Sequence, residues 1–265
     1  MAMDQAASGL LDNPFAGDAA VGPWLFPSRI HDEAVARLQF VVQSGQACGV
    51  LTGPEGSGKS RLLQRAAADL RRSGRQVCLV DLAGLNAVRL LVRLDAALGL
   101  NGGVPADSLT TWDSVLTAIE GIALSGLSLV LALDHADQAQ QDVWTLLDQL
   151  LAHAAGGTTV LVATRGIAAG PLGEFARRHA ALRIELERLS ADETADYIQA
   201  AFQRIGVEGT PFDPGAMRRV YELTRGEPRL VNRLCRLAVM AAAADGLAEI
   251  PASLVDAAAE EVLLA

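Results

Sequence analysis

The sequence predicts an α/β protein: a doubly wound parallel sheet, followed by an all-helical segment. Three observations carry this. Short apolar runs alternate with amphipathic helical stretches from residue 46 to 189, the order that builds a parallel sheet with crossover helices. Runs such as LSLVLAL are apolar without alternation, which suits strands buried on both faces. After Leu189 no convincing strand follows, and capped or Pro-started helical stretches fill residues 190–265.

Each element has its own justification. Residues 1–28 are rich in Gly, Pro and Asp without a sustained period and read as an irregular arm. Residues 29–44 place Ile30, Ala34, Leu38 and Val41 or Val42 at helical spacing, with a stop at Gly45. Strands are expected at 47–52, 76–82, 127–133, 158–163 and 182–186, and helices at 60–73, 85–98, 109–123, 142–153 and 173–179, with a loop at 101–107. Ser190-Ala191-Asp192-Glu193 is a capping box that opens a helix to Arg204. Further helices are expected at 214–224, 228–244 and 251–264. Three regions follow: an arm and helix at 1–45, a core at 46–189 and a helical lid at 190–265.

Composition bounds the function. With 51 % apolar and 20 % charged residues the chain can build a full core, and global disorder is excluded. A net charge of −9 and only 4 % aromatic residues disfavour a chain that lives on nucleic acid. Cys48, Cys78 and Cys235 form no CxxC pair, so neither a disulfide framework nor a zinc site is indicated; all three read as small buried hydrophobes. The first residues lack a basic leader, and the most apolar stretch, 121–133, is too short to span a bilayer. A soluble, cytoplasmic chain is expected.

One count singles out a site. Of 22 basic residues, 21 are arginine and one is lysine, Lys59. The two are exchangeable on a solvated surface but not where a compact ammonium must enter an anion cradle. Lys59 lies in Gly53-Pro54-Glu55-Gly56-Ser57-Gly58-Lys59-Ser60, which matches GxxxxGK[ST] between an expected strand and an expected helix. There the glycines let backbone N–H groups converge on phosphate, the lysine reaches the outer phosphates and the Ser60 hydroxyl ligates Mg²⁺. Arg61 joins Gly53–Ser60 in the expected ATP-binding set. LSLVLALD ends at Asp134, 75 positions after Lys59, as a second candidate Mg²⁺ ligand. His135 occupies the place where a water-orienting carboxylate is wanted, with Asp137 on the same turn as a substitute. Thr164 closes the fourth strand, where a polar group could orient water. Arg177 and Arg178 precede the last strand as candidates for a contact in trans. Arg229 follows Gly226-Glu227-Pro228 at a lid-helix start and is expected over the phosphates.

With these residues in view, the chain resembles the AAA+ ATPases of the ExeA/GspA general-secretion type. The likeness runs from Asn13-Pro14-Phe15 through "SGQACGVLTGPEGSGKS", a Walker A sequence, to "LSADETADYIQAAFQRIG" and "FDPGAMRRVYELTRGEPRLVNRLCRLAVMAAAADG". It implies a P-loop NTPase (ASCE) core with a helical lid, ATP and Mg²⁺ at the core, and ATP-dependent homo-oligomers, including rings. It also implies an inner-membrane secretion, pilus or exopolysaccharide assembly partner, with the chain peripheral to that membrane. The family reads DEAQ after this strand, whereas here Asp134-His135-Ala136-Asp137 stands. The departure predicts slow hydrolysis. Two other classes compete: a DNA-associated transposition-helper ATPase, against which the charge speaks, and a non-hydrolysing nucleotide switch, which His135 favours.

Overall fold

A computed structural model describes residues 13–15, 25–100, 108–154, 156–167 and 169–263; the expected loop at 101–107 lies outside them. The chain forms two compact units. One comprises Arg29–Glu55 and Lys59–Leu186, the other Met1–Ser28, Gly56–Gly58 and Glu187–Ala265.

The first unit is a five-stranded sheet in the order β2-β3-β4-β1-β5, with every pairing parallel. Its elements in chain order are α1 (Arg29–Gln43), β1 (Cys48–Thr52), α2 (Lys59–Arg72), β2 (Gln76–Asp81), α3 (Ala87–Leu98), α4 (Ser108–Leu124), β3 (Leu129–Asp134), a 3-10 turn (Ala136–Gln138), α5 (Gln141–His153), β4 (Thr158–Thr164), α6 (Pro171–His179) and β5 (Ala180–Glu185). Side-chain alternation splits the strands between two faces. Val50, Leu131, Leu133, Val160 and Val162 enter one core with Leu90, Leu94, Val143, Trp144, Leu147 and Phe175 from α3, α5 and α6. Leu51, Val130, Ala132 and Leu161 are equally buried but stand outside that cluster, on the opposite face. Gly49 shows what covers it: a Cβ there would lie 3.2 Å from Val41 of α1. Both faces of the sheet are therefore roofed, which is why these strands read as continuous apolar runs. The described Cys48, Cys78 and Cys235 are free and buried; burial pushes the thiols of Cys48 and Cys78 up to about 12 and about 11.

The second unit holds α7 (Ala191–Arg204), α8 (Pro214–Thr224), α9 (Pro228–Ala244) and α10 (Ala252–Leu263). Its core joins Ile198, Phe202, Val220, Val231, Cys235, Val239 and Val255. The expected strand-free segment has one extended pairing, the isolated bridge Phe212 to Ile250. Gly226 and Leu189 approach so closely that a Cβ on Gly226 would fall 1.8 Å from the Leu189 carbonyl, and the Leu189 N–H donates to the Gly226 carbonyl at 3.0 Å. With φ of 70° besides, that position admits glycine alone.

α1 clusters with the sheet unit, and its Val41 lies against the face at Gly49. The described parts of the arm, residues 13–15 and 25–28, form neither helix nor strand, as expected, and they are packed. Phe15 meets Phe202 edge-on at 5.7 Å and Phe26 meets Tyr197 at 5.3 Å. Asn13 holds the turn from both sides: its Oδ1 accepts from the Phe15 N–H at 3.0 Å, and its Nδ2 donates to the Arg236 carbonyl at 3.0 Å.

Candidate nucleotide site

In a parallel sheet every strand delivers its C-terminal end to the same edge, where ligands of open α/β sheets bind. Insertion of β4 between β1 and β3 sets the spacing of this edge. Thr52 of β1 stands in register with Thr164 of β4, and Asp81 of β2 with Asp134 of β3. Lys59 begins α2. The edge thus brings together Lys59, Asp134, His135, Asp137 and Thr164, five of the residues singled out in the sequence.

Lys59 Nζ donates to the carbonyls of Gly53 at 2.9 Å and Pro54 at 2.7 Å, which turns the ammonium into the loop rather than to solvent. Burial lowers its pKa from the ordinary lysine value, against the opposing pull of Asp134, Asp137 and Glu55. The middle of the loop clusters with the helical unit. Gly56 and Gly58 hold φ of 75° and 95°, and a Cβ on Gly56 would fall 2.7 Å from Glu227 Oε1 and 3.0 Å from Arg229 Cβ. The Ser57 hydroxyl is buried and has no hydrogen-bond partner. A Gly-shaped loop, an inward ammonium and an orphaned hydroxyl fit a nucleoside triphosphate. Among the described residues no three His, Cys, Asp or Glu side chains converge as a metal site.

The turn after β3 is unusual. His135 adopts left-handed backbone, φ 50° and ψ 41°, as the cap of the 3-10 turn, a region where histidine is enriched among non-glycine residues. Its N–H is held by Asp134 Oδ1 at 2.9 Å, and its ring Nδ1 lies 2.9 Å from Asp81 Oδ1. Asp81 was not singled out in the sequence; the register Asp81 to Asp134 across β2 and β3 is what brings it there. Asp137 faces a different partner. Its Oδ2 accepts from Arg165 Nε at 2.6 Å, while Oδ1 accepts from the Arg165 N–H at 3.1 Å and Thr164 Oγ1 at 3.3 Å. Burial opposes ionisation of Asp137, but the hydrogen bonds from Arg165 outweigh it and hold the carboxyl below its usual range. A carboxylate so engaged is a weak base.

The arginines separate. Arg178 Nη2 pairs with Asp148 Oδ2 at 2.7 Å, beside His179 Nε2 on Asp148 Oδ1 at 2.8 Å. Arg177 is exposed and forms no ion pair among the described residues. Arg61 is half-buried on α2. Arg229 is exposed in the first turn of α9, and neighbouring Glu227 takes Arg188 at 3.2 Å.

Comparison with known proteins places this geometry. The AAA domain family matches residues 42–169. Residues 42–169 carry an AAA domain. Over 96 % of its length the chain is 26 % identical to general secretion pathway protein A of Aeromonas hydrophila, and it spans 47 % of that relative. The resemblance read from the sequence therefore holds across nearly the whole chain. Among solved structures it superposes on Drosophila ORC bound to DNA with a TM-score of 0.72, at 18 % identity, covering 99 % of this chain and 66 % of the other. For the Cdc6p protein of Pyrobaculum aerophilum the TM-score is 0.68 at 13 % identity, covering 89 % and 68 %. For the RuvB Holliday junction branch migration motor of Thermotoga maritima it is 0.58 at 18 %, covering 95 % and 72 %. At such identities these likenesses describe the AAA+ fold alone. Among the described residues no helix is long and apolar enough to cross a membrane.

Proposed function

We propose that the chain is an ATPase of low turnover that binds Mg-ATP and serves assembly of a secretion, pilus or exopolysaccharide apparatus at the inner membrane. The carrying observation is the convergence of Lys59, Asp134 and Thr164 on one sheet edge, with the lone lysine of the chain turned into a glycine-shaped loop. Bound ATP supplies the phosphoanhydride and brings its cation. Lys59 and the backbone N–H groups of Gly53 and Glu55–Ser60 would neutralise phosphate charge, and Ser60 and Asp134 would hold the cation.

His135, steadied by Asp81, is the candidate on the turn to orient water, since Asp137 is engaged by Arg165. An imidazole lacks the fixed negative charge of a carboxylate, hence slow turnover. Arg177, exposed and without an ion pair, supports a contact from one copy to the site of the next in a homo-oligomer. Arg178 is occupied by Asp148. Arg229, whose Cβ neighbours Gly56, supports a second phosphate contact from the helical lid. The secretion role rests on the likeness to general secretion pathway protein A.

The test is Lys59→Ala. It should abolish Mg-ATP binding by calorimetry while circular dichroism stays native, because no other lysine exists to replace the charge. Undiminished affinity would overturn the reading.

A further inference from the structure

Two helices of the second unit carry exposed charge of opposite sign. α9 buries Val231, Leu234, Cys235, Ala238 and Val239 on one side. Its opposite side is exposed at Arg229, Arg233, Arg236 and Met240, steps of four, three and four residues that keep them on one line along the helix. The helix holds no acidic residue. Arg233 and Arg236 form no ion pair or side-chain hydrogen bond among the described residues. α7 buries Tyr197, Ile198, Ala201 and Phe202. It exposes Asp192, Asp196, Gln199 and Gln203 in the same steps, and neither aspartate has an ion-pair partner among the described residues.

Local chemistry explains part of this. Asp192 lies in the first turn of α7, where a negative charge complements the helix dipole. Asp196 lies a turn further on, and Arg233 and Arg236 sit inside α9, where the dipole favours neither sign. Carboxylates are within reach of other arginines in this unit: Arg188 pairs with Glu227 at 3.2 Å and Arg219 with Asp256 at 2.6 Å. Two stripes of opposite charge and equal spacing are thus left unmatched within one chain.

We infer that the α9 face of one copy docks on the α7 face of a second copy, with Arg233 and Arg236 against Asp192 and Asp196. Charge decides the occupant. A chain of net charge −9 disfavours nucleic acid, whereas the matching acidic stripe is present on every copy. The two faces differ, so the contact is head-to-tail: each pair keeps one free face of each kind, and addition continues into a ring or a filament. Exposed ion pairs contribute about fivefold or less each. The contact is therefore weak and salt-sensitive, suited to copies already gathered rather than to a stable dimer. It goes beyond the proposed function, because nucleotide takes no part in it.

The experiment is sedimentation equilibrium of the full chain without nucleotide, at about 0.05 M salt and up to about 0.5 mM protein. The wild type should self-associate with a dissociation constant of about 0.1–1 mM. Salt of about 1 M, with a Debye length of about 3 Å, should abolish the association. R233E/R236E and D192R/D196R should each weaken it by about 10-fold or more, since like charges then meet. Mixed together, the two variants should associate again, because each supplies the native face that the other lacks. Merely solvated faces would give no such recovery.

A monomeric wild type overturns the inference, as does association that survives either variant or a mixture that stays apart. Binding of a duplex of about 20 base pairs through Arg233 and Arg236, without self-association, gives the α9 face to nucleic acid and overturns it too. Circular dichroism checks that each variant folds. Should a charge-reversed variant misfold, R233Q/R236Q and D192N/D196N repeat the mixing test: loss alone with recovery together supports the contact, and any other result overturns it. With nucleotide absent throughout, failure here leaves the site at Lys59 untouched.

Discussion

At the scale of single residues, His135 carries the expectation of slow hydrolysis in the proposed function. Its imidazole sits on left-handed backbone and leans on Asp81 at 2.9 Å. The wild-type chain should hydrolyse ATP at well under the ~10 s⁻¹ of a typical enzyme. His135→Glu should raise steady-state turnover by about 10- to 100-fold by restoring a charged acceptor for water. The same change should cost about 1 kcal/mol of unfolding free energy, because glutamate tolerates left-handed backbone less well. A phosphate-release assay beside a denaturant titration reads both; a rate unmoved by the substitution would place the water-orienting group elsewhere. Asp137→Ala should not act as loss of a base. It should act through Arg165, whose Nε it holds at 2.6 Å.

At the scale of elements, the capping box of α7 is complete. Glu193 N–H donates to Ser190 Oγ at 3.2 Å, and the Ser190 N–H donates to Glu193 Oε2 at 2.9 Å. Ser190→Ala should therefore lower stability by about 1 kcal/mol, measured by chemical unfolding. That box was legible in four letters because its chemistry is local. So were the strands, whose apolar runs need no partner to be recognised, and the helices started by Pro214 and Pro228. The phosphate loop and the strand ending at Asp134 were legible for the same reason. What escaped the sequence is what depends on register and distance. Asp81 reaches His135 only because β2 lies beside β3, 54 positions apart in the chain. Arg165 meets Asp137 and Glu55 only because β4 is inserted beside β1. The three-residue turn at Ala136–Gln138 is too short to leave a period. The anchoring of Asn13, Phe15 and Phe26 depends on Arg236, Phe202 and Tyr197, far later in the chain.

At the scale of the molecule, acid should be the weak side of its stability. The carboxyls of Asp81 and Asp137 both titrate below their ordinary range. Burial works against ionisation in each, but hydrogen bonds from Ala83 and His135 in the first, and from Arg165 in the second, prevail. A carboxyl whose folded pKa lies below its unfolded value of about 3.9 stabilises the fold fully above that value. Its contribution fades as pH falls through the folded pKa. Stability measured by thermal unfolding should therefore decline below about pH 4, and Asp137→Asn should make that decline shallower while lowering the plateau at neutral pH. The single lysine has a practical corollary at the same scale. In a chain of 265 residues the only side-chain amine is the one turned into the phosphate loop. Amine-selective acylating reagents, and any enzyme that acetylates lysine, have one side-chain target here, so on the proposed function capping of that nitrogen should abolish Mg-ATP binding.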